Sequence, residues 1–137
     1  MKQFIEKIIF KTRGSEILNI TKTVEDIVKR TDVKDGLINL SILHTSCSLM
    51  IQENADSTVM SDITNFLKKI APEGNYFHDT EGEDDMPAHL KSLITQSNLT
   101  ISIKNKKILL GTWQGIFLLE HRYHPKNREL FFHILGE

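Results

Sequence analysis

The stretch Gly36-Leu37-Ile38-Asn39-Leu40-Ser41-Ile42-Leu43-His44 decides the class of fold. Ile38, Leu40 and Ile42 recur with a period of two, which is the spacing of side chains along one face of a strand. That face is continuously apolar and therefore belongs in a core. His44 ends the same row, so an imidazole is carried at the end of a core-facing strand face.

Reading outward toward the C-terminus, Thr45-Ser46-Cys47 is followed by a second short apolar run, Leu49-Met50-Ile51. Asp56 is the expected cap of a helix in which Val59, Ile63, Phe66, Leu67 and Ile70 form an apolar stripe, ended by Pro72. Residues 73–85 show neither helical nor strand period and are long for a connector, which points to function. Asp85 with Pro87 fits the start of another helix from Met86 to about Thr95, with His89 expected in its first turn. The remainder reads as three strands: Leu99 to Lys104, Lys107 to about Leu119 with weak points at Gly111 and Gly115, and Glu129 to Leu135. Asn105-Lys106 makes the first turn among them.

Toward the N-terminus, Phe4 to Phe10 and Glu16 to Ile20 are β-prone runs separated by Arg13-Gly14-Ser15, and are expected to pair as a hairpin. Thr23, with Asp26 three residues on, is the expected cap of a short helix whose apolar face is Val24, Ile27 and Val28. The pattern is α+β with about seven strands and two to three helices, in a single domain spanning 1–137. No repeat or linker interrupts it.

Composition narrows the partners. Lys and Arg number 17 against 18 Asp and Glu, for a net charge of −1, so no polyanion or anionic membrane surface is called for. Neither nucleic acid nor a membrane is expected. The N-terminal residues alternate charge and apolarity and lack a signal-type apolar segment, and Cys47 is the one cysteine. Both observations fit a cytoplasmic protein, and no Cys-based zinc motif is possible.

The residues that could carry chemistry are histidines and carboxylates. Asp79, Glu81, Glu83, Asp84 and Asp85 crowd one loop bracketed by His78 and His89, while the rest of the chain is net positive. Such a loop is either solvated, with its last member capping a helix, or neutralised. Mixed imidazole and carboxylate donors suit a divalent transition metal. His44, His78, His89 and His121 are the candidate metal ligands, for zinc or a similar ion, although their spacing alone does not bring them together. Imidazole acid–base chemistry without a metal is the alternative. Arg122, Lys126 and Arg128 are candidate donors to a phosphate, and Thr45, Ser46 and Ser48 add hydroxyls. His133 reads as structural, Cys47 as a small core residue and Trp113 as a buried one, with a pocket wall as the lesser reading of the last.

The ordered blocks His44-Thr45-Ser46, Gln52-Glu53-Asn54-Ala55-Asp56, Gly74-Asn75-Tyr76 with His78-Asp79, Glu81-Gly82, Asp84-Asp85-Met86-Pro87-Ala88-His89, Gly111-Thr112-Trp113-Gln114-Gly115-Ile116, Glu120-His121-Arg122 and the final Gly136-Glu137 resemble the YjbQ-type family over nearly the whole chain. The resemblance implies an α+β fold of about seven mainly antiparallel strands in two packed sheets, assembled as a homotrimer. It also implies a thiamine-phosphate synthase activity, a secondary one, which joins a hydroxymethylpyrimidine diphosphate to a thiazole phosphate. The family's polar positions, carried onto this chain, are His44, Asn54, His78, Asp79, Asp84, Asp85, His89, Trp113, Gln114, His121 and Arg122.

On these grounds His44, Asp84, Asp85 and His121 are the expected catalytic groups, and Asn54, Gln114 and Arg122 the expected binding groups for a phosphorylated small molecule. The other readings are a metal-dependent hydrolase, and a non-catalytic trimer that binds a metal or a phosphorylated ligand. A structural role for the acidic loop at a subunit contact also stays open.

Overall fold

The computed structural model of the protein describes residues 1–137 and contains eight strands and three helices. Lys2–Lys11 (β1), Asn127–Gly136 (β8), Gly36–Ile42 (β3), Asn98–Lys104 (β5) and Lys107–Ile108 (β6) form a five-stranded sheet in the order β1-β8-β3-β5-β6. Glu16–Asn19 (β2), Gln114–Glu120 (β7) and Cys47–Glu53 (β4) form a second sheet in the order β2-β7-β4. Every pairing is antiparallel. The helices are Thr21–Arg30 (α1), Ser57–Ile70 (α2) and Asp85–Ile94 (α3).

The strand that opens the sequence reading behaves as its period requires. Ile38, Leu40 and Ile42 are buried. They pack with Leu130, Phe132 and Ile134 of β8, with Ile101 and Ile103 of β5, and with Val24, Ile27 and Val28 of α1. Leu49 of β4 and Ile116 and Leu118 of β7 supply the opposing side from the smaller sheet. Each fully buried branched side chain contributes on the order of 1.5–3 kcal/mol. The register is therefore held by the core, since a one-residue slip would turn a whole row outward.

Four local expectations are corrected. The first two strands do not form a hairpin: β1 pairs along its length with β8, and β2 pairs with β7 in the other sheet. The bend between them carries the chain from sheet to sheet at Gly14, where φ is +140° and a Cβ would lie 2.5 Å from the Tyr123 carbonyl oxygen. The long run from Lys107 is likewise two strands, because β6 belongs to the larger sheet and β7 to the smaller. Trp113, at that crossing, is 63% exposed and not a core residue. Helix α1 begins at Thr21, whose N–H and hydroxyl both donate to Asn19 Oδ1, so Thr23 is not its cap.

The other helices follow the sequence more closely. Asp56 caps α2 by accepting from the Thr58 N–H at 2.9 Å. Only Leu67 of the α2 stripe is buried, and Phe66 and Ile70 face outward. Asp85 is the first residue of α3, and its carboxylate is turned to other partners instead of capping the helix. His89 therefore lies one turn beyond it, four residues on and on the same face.

A polar clamp joins the two sheets at one end. Arg128 of β8 donates from Nε to Glu120 Oε1 at 2.8 Å and from a terminal nitrogen to Oε2 at 2.5 Å, with both residues buried. Thr12 donates to Oε1 at 2.6 Å and the Arg122 N–H to Oε2 at 3.2 Å. Burial alone would raise the Glu120 pKa, but these donors hold it below the ordinary glutamate value. Removing one member of such a pair strands a buried charge. Arg128→Met should therefore cost about 3–5 kcal/mol, and Glu120→Leu/Arg128→Met less than the sum of the single changes, as read by urea unfolding.

Candidate functional site

The helix start at Asp84-Asp85 and the loop before it build the site. Asp84 and Asp85 are both buried, at the end of a loop in which every residue from 73 to 83 but the half-buried Tyr76 is exposed. Arg122, just past the end of β7, neutralises them: its Nε donates to Asp84 Oδ2 at 3.0 Å, and NH1 to Asp85 Oδ1 at 2.6 Å. Its remaining nitrogen donates to the Glu81 carbonyl at 2.8 Å, and the Tyr123 N–H adds a 2.9 Å bond to Asp84 Oδ2. Burial pushes both carboxyls upward, and the hydrogen bonds outweigh it, so both pKa values lie below the ordinary aspartate value.

The second oxygen of Asp85 faces two imidazoles. His78 Nε2 lies 2.6 Å from Asp85 Oδ2 and His89 Nε2 lies 3.3 Å from it. These three ligand atoms fall within 4.8 Å of one another. The tautomer of His89 is fixed by the backbone, because its Nδ1–H donates to the Thr45 carbonyl at 2.9 Å. In the neutral ring, Nε2 then presents a lone pair toward a carboxylate oxygen. Two lone pairs at that distance repel unless a proton or a cation stands between them. A ring nitrogen held by a backbone carbonyl while the other points inward is also the usual orientation of a metal-ligating histidine. His78, Asp85 and His89 are thus the residues that could hold a divalent ion, and their donor set fits one of the zinc type.

The other candidates stand elsewhere. His44 Nε2 accepts the Glu129 N–H at 2.7 Å, so its lone pair is engaged at the start of β8. His121 is buried, with Nε2 2.8 Å from the Ser48 hydroxyl, which in turn receives the Thr95 hydroxyl at 2.6 Å. Neither ring belongs to the His78, Asp85 and His89 group. Asn54 and Gln114 serve the loop between β6 and β7: Asn54 donates to the Gln114 carbonyl at 3.3 Å, and Gln114 Oε1 accepts from the Gly111 N–H at 2.7 Å. Asp79 is exposed. Cys47 is buried and its thiol is pushed up to about 12, chiefly by that burial, which removes it as a nucleophile.

One group escaped sequence reasoning. Lys91 is 7% exposed and lines a small cavity together with His121. On an amphipathic helix a lysine reads as solvated, and nothing in the local pattern marks it otherwise.

Comparison with known proteins gives a consistent result. The family described as "UPF0047 protein YjbQ-like" matches residues 6–137. A UPF0047 protein of Synechocystis sp. is 43% identical over 99% of this chain and 94% of its own. The UPF0047 protein YjbQ of Escherichia coli O157:H7 is 39% identical over 93% of this chain and 92% of its own. Among solved structures, a YbjQ-like protein of unknown function from Sulfolobus solfataricus P2 superposes with a TM-score of 0.91 at 27% identity, covering 99% of both chains.

The buried ring of His121 gives a pH signature. Burial, followed by the charge of Lys91, lowers its pKa from 6.5 to about 4. The unfolded chain then binds a proton that the folded chain refuses, so stability is full above pH 6.5 and declines as pH falls toward 4. Urea titrations at pH 7 and pH 5 should show the loss, and it should be smaller in His121→Gln.

Proposed function

The chain belongs to the UPF0047 YjbQ-like family, and from that membership and its histidine–carboxylate cluster we propose that it is a small enzyme using a zinc-like ion on a phosphorylated small molecule. The observation that carries this reading is the convergence of Asp85 Oδ2 with the Nε2 atoms of His78 and His89. An ion there would polarise a phosphoryl oxygen or activate a water. The chain's own groups prepare for it. Arg122 holds the far oxygen of Asp85 and so fixes the carboxylate plane, and the Thr45 carbonyl fixes the ring of His89. Exposed His78 comes from the loop, while Asp85 and His89 are held on one helix.

The donor set also ranks the chemistry. Pyrophosphate release, as in thiamine-phosphate synthesis, ordinarily relies on magnesium with oxygen ligands. Two imidazoles and one carboxylate favour a softer ion and a hydrolytic or phosphoryl-transfer step. Thiamine-phosphate synthesis is then a side reaction at most.

The reading includes self-assembly in the cytoplasm. The outer face of the larger sheet carries Ile5, Ile9, Leu37 and Leu135, all at least 40% exposed. Among them the Nε2 of His133 is buried without a hydrogen-bond partner. A homotrimer that covers this face accounts for both features. The single buried Cys47 fits a reducing compartment.

Elemental analysis of protein purified without chelators should find near-stoichiometric zinc or a similar ion. His78→Ala and His89→Ala should each weaken metal affinity by more than the roughly 10–100-fold typical of outer-shell changes, with unchanged far-UV circular dichroism. Retention of the ion in both variants would sink the metal assignment. Sedimentation should give a trimer, and Ile5→Asp on the outer face should dissociate it.

A further inference from the structure

We infer that the cavity between α2, α3 and the smaller sheet is a binding subsite for a tetrahedral oxyanion, with Lys91 and Lys68 as its cations. The inference deepens the reading above by placing the phosphate of the phosphorylated ligand, and it does so away from the histidine cluster. The cavity measures about 80 Å³. A single water needs roughly 10–15 Å³ by the same kind of measure, so there is room for a phosphate group.

The charge arrangement argues for an anion. Lys91 is 7% exposed as a residue and lines this cavity, where its ammonium keeps some solvent contact and makes no ion pair or hydrogen bond within the protein. A largely desolvated cation without a close counter-charge is costly to hold. Lys68, one turn after Thr64 on α2, lines the same cavity from its exposed rim and also lacks an ion pair.

Two carboxylates line the cavity as well, and both are already committed. Glu120 is saturated by Arg128, Thr12 and the Arg122 N–H. Glu16 accepts the Arg13 N–H at 2.5 Å and faces the Arg13 guanidinium at 3.6 Å. Neither is available to Lys91. Ser15 adds a hydroxyl to the lining. The Nε2 of His121 is engaged with Ser48, while its Nδ1 makes no hydrogen bond within the protein. Arg122, one of the donors that the sequence offers for phosphate, instead bonds through each of its three guanidinium nitrogens to Asp84, Asp85 and the Glu81 carbonyl.

The test is calorimetric titration of the full-length protein with inorganic phosphate at constant ionic strength. One saturable site per chain is expected. Lys91→Met, which keeps the apolar stem, should weaken binding at least ~10-fold, and Lys68→Met several-fold, as expected for loss of a charge-assisted contact. Chelator treatment and His89→Ala should leave binding unchanged, which separates this inference from the metal assignment. Should Lys91→Met fail to fold, amide shift mapping of the wild type decides: phosphate should move Thr64, Leu67, Lys91 and His121. Absence of saturable binding, an unchanged Kd in Lys68→Met, or shifts confined to residues 78–89 would overturn the proposal.

Discussion

The end of β7 is governed by the buried pair of Glu120 and Arg128, and the functional residues take their places from it. An ion pair taken out of water gains only if its remaining donors and acceptors are also satisfied. Here they are: Glu120 receives Thr12, Arg128 and the Arg122 N–H, while Arg128 also donates to the Ser46 side chain at 3.0 Å and to its carbonyl at 3.2 Å. The clamp thus binds β7, β8, the β1–β2 bend and the loop before β4 into one corner. Glu120 is held in this corner by the clamp, His121 just after it reaches Ser48 and lines the cavity, and Arg122 leaves the strand end toward the acidic loop.

Arg122 answers the question that the acidic loop poses. Five carboxylates in seven residues must be hydrated or compensated, and the protein divides them. Asp79, Glu81 and Glu83 remain exposed, whereas Asp84 and Asp85 are buried against one guanidinium and one backbone N–H. The division leaves one carboxylate oxygen, Asp85 Oδ2, directed at two imidazoles. The charge that makes the loop conspicuous in the sequence is therefore mostly solvent-facing, and the part that meets the two imidazoles is neutralised by a residue 37 positions away.

Elements with strong period were legible from sequence: the buried faces of β3 and α1, the Asp56 cap, the turn at Asn105 and Lys106, where both φ angles are positive. Pairing was not, because a run such as Phe4 to Phe10 specifies a strand but not its neighbour. A bend like that at Gly14 looks the same in sequence whether it closes a hairpin or changes sheets. Trp113 was misplaced for a related reason, since its strand context ended at the crossing between sheets. In the site, the histidines flanking the acidic loop could be grouped by proximity along the chain, and they meet. His44 and His121 come from distant strand ends, and only the fold shows that each has its own local partner. Lys91 carried no signal at all, since burial of a lysine depends on what packs over it.

Helix α3 links the two sites that the structure brings into view. At about 100° per residue, His89 and Lys91 project roughly 200° apart around its axis, so one helix offers an imidazole to Asp85 and an ammonium to the cavity. Its position on the smaller sheet is fixed by hydrogen bonds at both ends. The Thr45 carbonyl takes the His89 ring, Ser92 donates to the Cys47 carbonyl at 3.3 Å, and Thr95 reaches Ser48. Each of these partners belongs to the loop before β4 or to its first residues, which the Glu120–Arg128 clamp also holds through Ser46. On the proposed reading, the spacing between a cation at His89 and an anion at Lys91 would be a property of the sheet, set before either ligand arrived, which is the preorganisation that selective recognition of a charged substrate would require.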